Sequence, residues 1–312
     1  MDIEEIDART APDEVLLRFH ELELVCHEKL QSGQPWRTRD EGIAFHRHQP
    51  ETVTTGHWLA DGALAVLWMH APTATFCEVL VHPDRRRNGI GTALLERVVG
   101  HCRELGVVTL RGEHMTPDGA AFCAHAGAVD EQRIVRSLLD LRAAMLPEPT
   151  VAEGFRLVNW LARIPDEHLA AYVQGRAAMD DAPAPDDMDF PSATAESVRA
   201  TEESCARRKR EMRVTVAMNE TGEVAAFTDL RATRGSILGF TDDTVTVAAH
   251  RGKGLARAVK LESLRWLRDD HPEIEAVTTR NAEENAAMRA LNTSIGFRPT
   301  VVETTAALAV GS

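Results

Sequence analysis

Apolar and polar positions follow one order twice along this chain. Residues 76–81 (FCEVLV) are apolar and β-branched, 82–91 (HPDRRRNGIG) are basic with glycines, and 92–99 (TALLERVV) return apolar residues at helical spacing. The succession recurs in 242–267 as DDTVTV, AAHRGKGLA and RAVKLESLRWL. Each copy predicts a strand, a turn and an amphipathic helix. Aligning Arg86 with Arg251 puts Gly89 on Gly254 and Gly91 on Ala256 without a gap. Further on, Ala126-Gly127-Ala128 falls against Ile295-Gly296-Phe297. Alternating segments around Gly62 and Gly222 predict matching hairpins, so the chain is a tandem repeat of one α/β unit.

The repeat boundary is expected near Pro147-Glu148-Pro149, where a helical stretch over 130–146 would stop at paired prolines. A strand over Phe155–Trp160 opens the second half, giving domains 1–148 and 149–312. Residues 179–191 (MDDAPAPDDMDFP) have the composition of a loop. They read as a solvated connector, or less readily as an acidic flap over a substrate mouth.

Composition narrows the function. With 312 residues, 35 Lys and Arg against 48 Asp and Glu, and a net charge of −13, the chain suits two domains. Such acidity is unsuited to sequence-independent nucleic-acid binding, which neutralises phosphates. Aromatic residues at 5% do not suggest a base-stacking surface. A small cationic partner fits better. The opening MDIEEIDART lacks the pattern of a secretory signal, and apolar runs such as Ala63–Met69 are too short to span a bilayer. A cytoplasmic protein without membrane or nucleic-acid partners is expected, as a monomer or homodimer. The five cysteines (Cys26, Cys77, Cys102, Cys123, Cys205) show no C-x-x-C spacing and read as free, mostly buried thiols.

A basic glycine turn between strand and helix has a use. Glycines let a ligand approach the backbone, and the N–H groups opening a helix face an anion. The P-loop pattern is absent, and G-x-G-x-x-G fails because Leu94 follows Gly89 and Gly91, and Arg257 follows Gly252 and Gly254. The runs R-R-N-G-I-G at 86–91 and R-G-K-G-L-A at 251–256 resemble the acyl-CoA signature [QR]-x-x-G-x-[GA] of the GNAT superfamily of N-acetyltransferases. The stretch 279–297, closing on Gly296-Phe297, resembles that family's later strand and helix. Both halves are covered, so the chain resembles two tandem GNAT domains, an architecture that mycothiol synthase also has.

The resemblance implies an α/β (α+β) fold of two domains, each a mixed, mostly antiparallel sheet flanked by helices. It also implies acetyl-CoA-dependent acetylation of a small-molecule amine by direct attack on the thioester. The backbone of Arg251, Gly252, Lys253, Gly254, Leu255 and Ala256 would hold the pyrophosphate. Val245, Thr246 and Val247 would lie along the pantetheine arm, which Asn285 would also contact. In the first half, Arg86, Arg87, Asn88, Gly89, Ile90 and Gly91 would act likewise, with Val81 on the strand. That half lacks the Asn-rich run and has Gly-Ala for Gly-Phe, so catalysis is assigned to the second half and the first is read as degenerate. A larger acyl-CoA donor and a non-catalytic CoA-binding role are the alternatives.

Chemistry asks for a base, because an alkyl amine of pKa near 10 is only about one part in a thousand free at pH 7. Glu78 and Asp243 each stand eight residues before the aligned arginines. They are candidate bases or exposed strand-end carboxylates, with Asp242 and Asp229 as weaker candidates. Where many family members carry an acidic Tyr, the second half has Asn292 and the first Cys123; Tyr172 or water would have to substitute. No metal is expected: His46-Arg47-His48 and His101-Cys102 lack ligand spacing and read as a solvated loop and a helix face. His250 is either a phosphate contact or a turn residue.

Overall fold

The computed structural model describes residues 2–31, 35–181 and 183–311. Met1 of the acidic opening and Ala182 of the 179–191 stretch lie outside the described residues. The first repeat runs β1 (Glu4–Glu5), α1 (Asp13–Leu30), α2 (Arg39–Arg47), β2 (Thr54–Ala60), β3 (Ala63–Ala71), β4 (Ala74–Val81), α3 (Ile90–Glu104), β5 (Thr109–His114), α4 (Pro117–His125) and β6 (Val129–Asp140). The second repeats that order as β7 (Phe155–Leu161), α5 (Asp166–Arg176), α6 (Ala195–Arg207), β8 (Arg210–Asn219), β9 (Val224–Thr233), β10 (Leu238–Thr246), α7 (Leu255–Asp270), β11 (Ala276–Ala282), α8 (Ala286–Ile295) and β12 (Arg298–Ala309). The expected hairpins are β2–β3 and β8–β9, turning at Gly62 and Gly222, whose φ angles of 70° and 87° suit glycine.

The compact units differ from the sequence halves 1–148 and 149–312. One comprises 1–133, 184–191 and 303–312; the other comprises 134–183 and 192–302. In the first unit the strand order is β1-β2-β3-β4-β5, completed by the end of β12, where Thr304–Ala309 pair antiparallel with Thr109–His114. In the second unit the order is β11-β10-β9-β8-β7, completed by Ile134–Asp140 of β6, antiparallel to β11. Each sheet therefore ends in the last strand of the other repeat. Each sheet is mostly antiparallel, with one parallel pair, β4–β5 or β10–β11.

The helix expected over 130–146 is strand β6 instead. Val135, Ser137 and Leu139 are buried while Ile134, Arg136 and Leu138 are less so, which is a period of two. Short apolar runs are ambiguous in period, and pairing with β11 decides this one. Leu139 then packs with Leu261, Leu264, Ile295 and Phe297 in the second unit's core. In the first unit, α3 buries Leu94, Val98 and Cys102 against Trp58, Ala65 and Leu67. No described helix is long and apolar enough to cross a membrane. The five cysteines are free, three of them buried.

The acidic stretch is more than a solvated connector: residues 184–191 belong to the first unit. Arg111, wholly buried on β5, bonds Glu131 at 2.8 Å and the Thr73 carbonyl at 2.7 Å, and forms an ion pair with Asp187. Phe190 stacks on Phe76 of β4 at 5.9 Å. A buried guanidinium that loses a carboxylate partner keeps its desolvation cost. Asp187→Ala should therefore lower stability by roughly 1–3 kcal/mol and speed proteolysis within 184–191. An unchanged urea midpoint and cleavage rate would count against this role for Asp187.

Candidate functional site

The turn before α7 carries the first part of the site. Gly252 and Gly254 have φ of 79° and 74°, and Gly254 caps α7 without any side-chain cap. The opening N–H groups of the helix are thus left for another acceptor. A Cβ added at either glycine would meet nothing within 4 Å, so the space above the turn is open. Arg251 braces the turn, its Nε donating to the Thr246 carbonyl at 3.3 Å. Phe155 of β7 underlies it, with the Lys253 Nζ 5.0 Å from the ring centre and the His250 ring edge-on at 5.4 Å. Leu255 is buried, and Ala256 follows it in the first turn of the helix.

The first unit repeats this construction. Arg86 Nε donates to the Val81 carbonyl at 3.3 Å, and Gly89, with φ of 78°, caps α3 before Ile90. Arg87 holds φ of 64° where its counterpart is Gly252, an arrangement that costs a non-glycine residue energy. Asn88 donates to the Arg85 carbonyl at 3.1 Å. A Cβ at Gly91 would stand 3.3 Å from the Phe122 ring and 3.4 Å from Val81, so the small residue lets that ring lie close.

Beside each turn the parallel strands part. β10 pairs with β11 only over Leu238–Phe240 against Ala276–Thr278, and β4 pairs with β5 only at Thr75 and Phe76. Val245 and Thr246, and Val81 in the first unit, lie on the edges so opened, with Val247 just past β10. Val247 itself donates its N–H to Ala225 of β9 at 2.9 Å. An irregularity between Thr241 and Thr244 interrupts the β9–β10 register where Asp242 and Asp243 sit. Such bulges re-aim side chains.

One side chain cluster lies toward α5. Arg176 donates to Asp243 at 2.5 Å, to the buried Asp229 at 3.2 Å and to the Tyr172 hydroxyl at 3.1 Å. Arg231 reaches Asp229 at 3.4 Å and Asp242 at 3.3 Å. Asp229 also accepts the Asp243 backbone N–H at 2.7 Å. Burial opposes ionisation of Asp229, but Arg231 and Arg176 outweigh it and hold its carboxyl below the usual range. Asp243 is the opposite case: burial, then the Asp229 charge, raise it to about 6, with Arg176 pulling the other way. Burial raises the Tyr172 phenol, which keeps its proton.

A second cluster lies toward α7. Thr228 and Thr244 are cross-strand partners whose hydroxyls meet at 2.8 Å, and Lys260 Nζ donates to Thr244 Oγ1 at 3.4 Å. Lys260 is 2% exposed, and burial lowers it to about 7. On α8, the Asn285 side chain caps the helix by accepting the Met288 N–H at 3.1 Å. Asn292 is buried, donates to Asn281 Oδ1 at 2.7 Å, and has no described partner for its own Oδ1. The first unit has Thr116 at the cap, bonded to the Gly119 N–H at 3.1 Å, and Cys123, whose thiol burial pushes up. Glu78 is half-buried on β4 opposite Val66.

Two histidine expectations separate. His101 lies on α3, edge-on to Trp58. His46 is not solvated: it is buried in α2, 3.0 Å from Glu23 and 3.3 Å from His57. Its helical phase faces α1, which a reading of the three-residue run overlooked. Arg176, Arg231 and Asn281 also escaped the sequence reading, being joined to the site only by folding. Lys260 left a signal, a lysine inside the stripe Leu255, Ala258, Val259, Leu261, Leu264.

Residues 16–121 match the acetyltransferase (GNAT) family. A mycothiol acetyltransferase of Corynebacterium kroppenstedtii is 31% identical over 116 residues, 35% of this chain and 30% of that protein. One from Saccharomonospora viridis is 32% identical over 100 residues, 32% of this chain and 31% of that protein. The matches thus span about a third of these relatives' length. A solved tandem GNAT protein from the clavulanic acid biosynthesis pathway superposes with a TM-score of 0.82 at 25% identity, over 100% of this chain and 99% of that one. A GCN5-related N-acetyltransferase from Sphaerobacter thermophilus shares the fold, with a TM-score of 0.75 at 14% identity over 99% and 96% of the chains.

The raised Asp243 pKa has a stability consequence. Its folded value of about 6 exceeds the ordinary 3.8, so the associated stability is full below pH 4 and is lost as pH rises through 6. Asp243→Asn cannot lose that proton. Between pH 4 and pH 8 the stability difference should move in the variant's favour by on the order of 1–3 kcal/mol. Urea unfolding across that range would measure it, and a parallel pair of curves would refute the assignment.

Proposed function

Because this chain is a tandem member of the GNAT superfamily, we propose that it transfers an acetyl group from acetyl-CoA to the amine of a small molecule. The reaction is assigned to the second unit. The observation that carries this reading is one continuous arrangement there: an open, cation-flanked helix N-terminus, a parted strand pair beside it, and a carboxylate of raised pKa at the bulge. The donor suits the chain's residues. The open space above Gly252 and Gly254 leaves room for a pyrophosphate on the helix amides. Arg251, Lys253 and Arg257 supply positive charge around it. The parted edge of β10 at Val245 and Thr246, with Val247 beyond, offers backbone groups to an amide-bearing arm. The donor supplies the acetyl group as a thioester.

In this reading Asp243 takes the proton from the incoming ammonium. With a pKa of about 6 it is mostly ionised at neutral pH, yet more basic than an ordinary aspartate. Arg176 fixes its carboxylate, and Asp242, partly exposed, attracts the cationic acceptor. Asn285 and Asn292 are assigned to the donor side in this reading; an amide can hydrogen-bond there but cannot give up a proton. In the first unit, Arg86–Gly91 with Val81 would form a second donor site, and Glu78 the corresponding carboxylate. Thr116 and Cys123 stand there in place of the two asparagines, so that site is assigned no turnover.

An acceptor screen with acetyl-CoA, read by mass spectrometry, tests the activity. Tight CoA binding without product on any amine would favour a non-catalytic CoA-binding protein, and turnover only with longer donors a larger acyl group. Gly254→Val sets a branched side chain in the open space and strains a left-handed turn, so it should abolish turnover and one of two CoA sites. Gly89→Val should remove the other site while turnover persists. The opposite pattern, in folded variants, would move catalysis to the first unit and make Glu78 the base.

Asp243→Asn should lower kcat by roughly 10²–10⁴-fold at neutral pH with little change in acetyl-CoA affinity. The defect should shrink as pH rises, because more acceptor then arrives uncharged. A loss equal at every pH would instead mark Asp243 as structural.

A further inference from the structure

A departing thiolate needs a partner, and the family's tyrosine position holds Asn292, whose side-chain nitrogen is committed to Asn281. Lys260 is differently placed. It projects from α7 onto the sheet face that carries Thr228 and Thr244, 3.4 Å from the Thr244 hydroxyl and 5.4 Å from the Phe297 ring centre. Thr244 adjoins Val245 on the stretch of β10 that has left β11. An arm anchored at 251–256 and extended along that edge passes Thr246 and then Thr244 before reaching the bulge. Asp229 and Asp243 meet Arg176 of α5, whereas Thr228, one residue earlier on β9, bonds Thr244, the residue that meets α7's lysine. Successive strand residues face opposite ways, so the carboxylate and the amine serve opposite sides of the same gap.

Among the described residues the fold gives this lysine a hydroxyl and a ring face but no counter-ion. The flanking α7 positions are buried Ala258, Val259 and Leu261, and no described carboxylate pairs with the amine. Methionine would fill the volume without desolvating an amine. A buried ammonium without a counter-ion is completed by an anion that arrives with a ligand.

We propose that the Lys260 ammonium is the counter-ion of the departing thiolate. The acceptor nitrogen, already neutral, bonds to the acetyl carbon, the carbon–sulfur bond breaks with its electron pair going to sulfur, the nitrogen gives its remaining surplus proton to water, and the thiolate departs paired with the Lys260 ammonium. The thiolate takes up a proton from water as CoA is released, and Lys260 remains an ammonium. This inference rests on the second turn being the donor site.

Bound CoA tests it without any acceptor. The ultraviolet absorbance of the thiolate, followed against pH in the binary complex, reports the bound thiol; the part lost in Gly254→Val belongs to the second unit. In the wild type this thiol should ionise at least about one unit below free CoA, because an adjacent ammonium favours the thiolate. In Lys260→Met, or Lys260→Gln should the first not fold, it should ionise at or above the free value. A variant that binds CoA with an unchanged thiol titration would overturn the role of Lys260. If the wild type binds no CoA at the second turn, the donor-site reading itself fails, and this proposal with it.

Discussion

The site depends on a parallel strand pair that is allowed to form only in part. β10 and β11 hold together over three residue pairs and then diverge. Backbone groups rarely stay unpaired when buried, so the open edge must find partners elsewhere. That requirement suits a sheet defect to the proposed role of pairing with an extended, amide-bearing ligand. The glycine turn lies at one end of that open edge and the Asp242–Asp243 irregularity at the other, because both belong to the chain that forms it.

Charge is then sorted by the pleat. Asp229 and Thr228 are neighbours in sequence, yet one enters the Arg176–Arg231 cluster and the other the Lys260–Thr244 cluster. The first cluster has more carboxylates than guanidinium groups, which explains why Asp243 binds a proton more readily than Asp229. The second has an amine and, among the described residues, no carboxylate. A carboxylate of raised pKa and an amine without a described counter-charge are thereby kept apart, although both touch β10.

The two units share the glycine turn and the parted strands but differ in what surrounds them. In the first, Phe122 crowds Gly91, and Arg111 and Phe76 are engaged by Asp187 and Phe190. The donor-type turn has kept its geometry in both units, down to a strained Arg87 where glycine stands in the other. Helix capping, hairpin turns and strand parting are local devices, so they recur wherever the repeat does.

Local devices are also what the sequence determined by itself. The repeat, the hairpins at Gly62 and Gly222 and the helix starts at Gly89 and Gly254 were legible because φ and side-chain period are set within a few residues. Asp243 was legible as a candidate because an acid inside a β-branched run is conspicuous. Tertiary structure alone decided the rest. Residues 134–139 carry apolar side chains compatible with either period, and pairing with β11 made them a strand. The end of β12 joined the first unit through its register with β5. Arg176 lies 67 residues from Asp243 in sequence, and no local pattern links them. Lys260 stood out only as a polar residue in an apolar stripe; its lack of a counter-charge depends on which elements face it, and packing settles that.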